Sequence, residues 1–142
     1  MDIPEVRRRL RGALERAKRE AAERRARADA GAREYDAFLE QRAVPAFRLF
    51  ASALVGEGRA FKVQTPAGSV RLVSDGSADD YIDLSLDSTQ DPPRVVVRTS
   101  RGRGRRNTST ERVLGNTSPI AETTEEHVLE ILLEEIPALV ER

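Results

Sequence analysis

Tyr81-Ile82-Asp83-Leu84-Ser85-Leu86-Asp87 is the stretch that decides the fold. Apolar and polar residues alternate without a fault. In an extended chain, successive side chains point to opposite faces. Ile82, Leu84 and Leu86 therefore share one face, and Asp83, Ser85 and Asp87 the other. One apolar face and one polar face is the signature of a half-buried strand in an antiparallel sheet.

The neighbouring segments repeat the pattern. Upstream, Arg59 to Thr65 and Val70 to Ser74 flank Pro66-Ala67-Gly68, which predicts a hairpin. Asp75 to Asp80 reads as a polar loop. Downstream, Arg94 to Thr99 is a fourth strand, Arg101 to Arg106 a flexible glycine-spaced tip, and Asn107 to Leu114 a fifth strand polar enough to lie at an edge.

Helices bracket this middle. Residues 4–42 predict one long helix, with Pro4 in the first turn and no further proline before Pro45. Val6, Ala17, Ala28 and Leu39 recur every eleven residues, and Leu10, Leu14, Ala21, Ala32 and Tyr35 continue the stripe. A heptad through Ile3, Val6, Leu10, Ala13 and Ala17 fails at Glu20 and Arg24, so a coiled coil fits only the first turns. Glu15/Arg19, Glu20/Arg24 and Glu23/Arg27 support the helix as i,i+4 pairs. Its middle offers mostly alanine for packing and gains little from burial. The expectation is a rod standing partly off the body, docked through Tyr35, Phe38, Leu39, Val44, Phe47, Leu49, Phe50 and Leu54.

Pro45 is expected to break or bend the chain before a short helix at 44–55, which Gly56-Glu57-Gly58 caps rather than forming a phosphate loop. Thr123-Thr124-Glu125-Glu126 predicts a capping box with Thr123 as N-cap and Glu126 as its partner. The last helix carries Val128, Leu129, Ile131, Leu132, Leu133, Ile136, Leu139 and Val140, a face wide enough to cover the sheet, and Pro137 should kink or restart it.

Strands in series followed by a helix predict an α+β fold rather than a parallel α/β sheet. The expected fold is a long N-terminal helix, a short second helix, an antiparallel meander of four to five strands and a C-terminal helix packed on it. By segment, 1–42 is an extended charged helix and 43–142 an α+β body.

Composition narrows the chemistry. Cysteine is absent, which excludes a disulfide framework, thiolate catalysis and cysteine-bound metals. The single histidine, His127, excludes a multi-histidine metal site within one chain, and no partner residue in sequence orients it as a base. Asp75, Asp79, Asp80 and Asp83 lack the spacing of a calcium loop and suit turns instead. No metal, cofactor or catalytic residue is expected, and an enzyme ranks last among the readings. No apolar run approaches a membrane span, and Met1 to Glu5 lacks the apolar core of a signal peptide, so the expected location is cytoplasmic. Asn107-Thr108-Ser109 and Asn116-Thr117-Ser118 then match the glycosylation pattern by chance, and Arg105-Arg106-Asn107-Thr108 resembles a short basophilic kinase target. Arginine outnumbers lysine 22 to 2, as high-GC coding in a bacterial genome would produce.

Net charge is zero, yet charge is segregated. Residues 5–27 carry ten basic and four acidic residues, and 121–142 carry seven glutamates against Arg142. Two function classes follow. The first is a non-catalytic protein-interaction or scaffold module, self-associating through its N-terminal helix or binding a protein partner. The second is a nucleic-acid-associated protein using Arg101, Arg103, Arg105 and Arg106 together with Arg7, Arg8, Arg9 and Arg11. No aromatic residue interleaves those arginines for base stacking, which places the interaction module first.

Overall fold

The computed structural model describes residues 1–115 and 119–141. The glycosylation-like Asn116-Thr117-Ser118 lies outside them.

Helix α1 (Ile3–Phe38) begins as the sequence dictates. The Asp2 carboxylate accepts the Glu5 amide at 3.0 Å, capping an end whose first amides have no partner in the helix. At ~1.5 Å per residue, α1 is about 54 Å long. Pro45 does not break the chain. A single π turn, Leu39–Ala43, carries it into α2 (Val44–Gly56). The Val44 amide reaches back to the Leu39 carbonyl. Proline lacks an amide and its ring crowds the carbonyl four residues earlier, so the backbone widens by one residue and continues. α2 ends as expected: Gly58 takes φ +79, and the Arg59 amide returns to the Leu54 carbonyl at 2.8 Å.

Five strands follow: β1 (Phe61–Gln64), β2 (Ser69–Ser74), β3 (Ser77–Asp87), β4 (Arg94–Arg103) and β5 (Arg106–Val113). They pair in chain order as an antiparallel meander. The predicted loop at 75–80 is only a two-residue turn, and the deciding strand starts at Ser77. Asp79 and Asp80 belong to β3, in the stretch where its register with β2 shifts, and the next strand gives them donors. The Asp80 carboxylate accepts the Gly102 amide at 2.8 Å, and the Asp79 carbonyl accepts Ser100 Oγ at 2.9 Å. The 101–106 segment is likewise no loose tip. Arg103 pairs with Arg106 across a two-residue turn in which Gly104 takes φ +61, a conformation that suits glycine.

The core face holds Val70, Leu72, Ile82, Leu84, Val95 and Val97, all essentially buried. The opposite face carries a row read straight off the register: Gln64, Arg71, Asp83, Arg98 and Glu111. Its charges alternate, Arg71 pairing with Asp83 at 2.9 Å and Arg98 with Glu111 at 2.9 Å. Arg71 also lies 4.0 Å from the centre of the Tyr81 ring. That row satisfies its own charge.

α3 (Glu125–Glu135) and α4 (Pro137–Val140) close the chain, Pro137 restarting the helix as expected. The capping box is displaced by one residue: Thr124, not Thr123, is the N-cap, and its partner is His127, not Glu126. The His127 amide donates to Thr124 Oγ1 and the Thr124 amide to His127 Nδ1, both at 3.2 Å. Thr123 is buried, with its hydroxyl turned to the Pro119 carbonyl. The last helix does not shield the sheet alone. α2 covers β1 and β2 and packs on α3, while Glu135 of α3 ties to Thr99 of β4 and Arg112 of β5. Phe38, Phe47 and Leu132 are fully buried between these layers. Two residues assigned to that packing point outward instead: Leu49 and Leu133 are exposed.

Candidate interaction surface

The root of α1 crosses the loop ends of the strands. Tyr35 Oη donates to the Gly68 carbonyl of the β1–β2 turn at 2.6 Å. Burial first, and then the nearby Asp83 and Asp36 charges, raise the Tyr35 hydroxyl well above its ordinary titration range. Gly31 lies against Pro93, where an added Cβ would meet the ring at 3.0 Å, so only glycine allows this close an approach. Arg27 forks onto both oxygens of Asp91 in the β3–β4 loop at 2.8 Å each. Those hydrogen bonds hold the Asp91 carboxyl below the usual range. From the β1–β2 turn to the β3–β4 loop the helix thus runs across the strands.

Beyond Arg27 the helix leaves the body. Among the described residues, no hydrogen bond or ion pair of residues 3–26 reaches another element; the local ones are Glu5 to Asp2 and Arg9 to Glu5. Some 24 residues, about 36 Å of helix, project into solvent. Ile3, Val6, Leu10 and Leu14 are 75%, 46%, 54% and 59% exposed. They recur every three to four residues and so form one stripe. Arg7 and Arg11 line a shallow hollow with Leu10 and Leu14, which puts the basic flank directly beside the apolar stripe.

The other basic candidates sit elsewhere. Arg101 is engaged, donating to the Glu141 carbonyl at 2.9 Å. Arg103, Arg105 and Arg106 are exposed at the β4–β5 turn. β4 is ten residues long, so that turn lies about 33 Å from the loop where Arg27 anchors the rod. Thr108 of the kinase-like motif is exposed on β5.

The aspartates do not converge either. Asp83 holds Arg71, Asp80 holds an amide, and Asp75 is exposed. Among the described residues no three His, Asp or Glu side chains are grouped to hold a metal ion. No helix among them is long and apolar enough to cross a membrane.

A second exposed feature was not legible in the sequence. Leu133 on α3 is 62% exposed, and Leu129, one turn earlier, is half-buried. Glu126 and Glu130 are exposed on the same side. Compared with protein-family models, with curated proteins and with solved structures, the chain matches none.

Proposed function

We propose that this protein is a non-catalytic interaction module whose projecting helix is its binding element. One observation carries the reading: four large apolar side chains, Ile3, Val6, Leu10 and Leu14, stand exposed in a single stripe on the stretch of α1 that lies beyond its anchor at Arg27. Such a stripe is stabilised by burial against another apolar surface, at ~25 cal/mol for each Å² covered. A helix isolated in water is also only marginally stable, so a partner for the stripe supports the helix itself. Self-association supplies such a partner without a second protein.

The test is the solution mass by light scattering. The wild-type chain is expected to exceed its single-chain mass of 15.8 kDa at micromolar concentration. Leu10→Asp combined with Leu14→Asp, at two exposed positions, is expected to return it to one chain while leaving the circular dichroism of the sheet and α2 in place. An oligomer with unchanged mass in that variant would remove the rod from the account.

A further inference from the structure

We infer that the partner of the rod is the outer face of α3 on a second copy of this chain, docked antiparallel, with the contact made twice about a two-fold axis. The inference rests on the rod being an interaction surface and identifies what covers it.

The two helices carry the same pattern with opposite charge. On the rod, Leu10 and Leu14 are four apart, with Arg7 and Arg11 at three before and one after Leu10. On α3, Leu129 and Leu133 are four apart, with Glu126 and Glu130 at three before and one after Leu129. Equal spacing on helices of equal pitch places each charged row on the same flank of its leucine pair. When two such faces meet antiparallel, the charged flanks fall on the same side. Leu10 then opposes Leu133, and Leu14 opposes Leu129. Arg11 comes beside Glu130, Lys18 beside Glu126, and Arg7 beside Glu134, three opposite-charge neighbours against the one like charge that Glu15 brings level with Glu126 and Glu130. A parallel arrangement would put the two charged rows on opposite sides.

Within one chain these groups do not meet. Among the described residues Arg7, Arg11, Lys18, Glu126 and Glu130 form no ion pair, whereas Glu134 holds Arg112 at 2.7 Å and would share it. Rod against rod is the poorer solution: antiparallel, it sets Arg7, Arg11 and Lys18 of both partners on the same side as like charges, and parallel, it leaves both rows without acidic neighbours across the contact. Reciprocal exchange closes the assembly as a dimer, the commonest symmetric form.

Charge reversal tests this directly, with masses read by light scattering at low ionic strength. Arg11→Glu with Lys18→Glu gives an acidic rod over an acidic α3. Glu126→Lys with Glu130→Lys gives a basic rod over a basic α3. All four positions are exposed, so both variants keep the native circular dichroism. Each alone is expected to have the mass of one chain, and an equimolar mixture twice that, because both contacts of the heterodimer are then complementary. Added salt is expected to weaken the mixed dimer. A Glu126→Lys, Glu130→Lys variant that associates as well as wild type would overturn the α3 site. If Leu10→Asp, Leu14→Asp still abolished that association, the rod would stand as the binding element with another occupant. A mixture that stayed at one-chain mass would also overturn the proposal.

Discussion

Phe47→Ala is expected to destabilise the fold by about 3–5 kcal/mol, the range for emptying a fully buried aromatic site. Phe47 is 0% exposed and sits on α2, the helix that packs on β1, β2 and α3 at once. Its removal opens a cavity where the two layers meet, and neighbours on a sheet and two helices cannot all move into it. Domains of this kind hold only about 5–15 kcal/mol in total, so the variant loses a large share of its stability. Urea unfolding followed by circular dichroism reads the loss as a lower midpoint. A shift worth less than about 1 kcal/mol would mean that α2 is not seated on the sheet as described. The comparison variant is Leu49→Ala. Leu49 lies on the same helix but is 55% exposed, and its replacement should change little.

Arg42→Ala is the second large effect, about 1–3 kcal/mol, because the side chain joins parts of the chain far apart in sequence. Its Nη1 donates to the Ala121 carbonyl at 2.8 Å and to the Thr123 carbonyl at 2.7 Å, and its guanidinium lies 5.6 Å from the centre of the Phe38 ring. The bond to Thr123 is partly buried, so alanine leaves a carbonyl with neither its charged donor nor full access to water. Arg42→Lys should recover part of the loss, since an ammonium also donates, but not the reach and the planar contact of the guanidinium over the Phe38 ring. Urea midpoints of the two variants check the order. Equal midpoints for alanine and wild type would show that the π turn is not anchored to the entry of α3.

The alternation from Tyr81 to Asp87 made the sheet legible, and the register bears it out with Ile82 and Leu84 fully buried. The long helix was legible from the run of helix formers between Pro4 and Pro45. Sequence and structure part where one residue type serves two structures. Asp75 to Asp80 looked like a loop because aspartate favours turns. The last two are strand members to which Gly102 and Ser100 on the next strand supply donors, information that no local reading contains. Two adjacent threonines precede α3, and the choice between them was settled by the Pro119 carbonyl drawing Thr123 inward.

The interaction surface was legible by half. The rod's stripe follows from its own spacing. The acidic α3 face does not, because spacing alone gives that helix one wide apolar face and does not tell which of its leucines the sheet covers. α2 occupies part of that sheet face, which leaves Leu133 outward beside Glu126 and Glu130.

The central claim is that residues 3–26 are held by an intermolecular contact and not by their own body. Amide hydrogen exchange of the wild-type chain and of its Leu10→Asp, Leu14→Asp variant tests it, since an unsupported helix opens far more readily than a packed one. The expected result is protection across residues 5–24 in the wild type that falls at least about tenfold in the variant, with α2 and β2–β4 unchanged. Equal protection of that segment in both proteins would contradict the account.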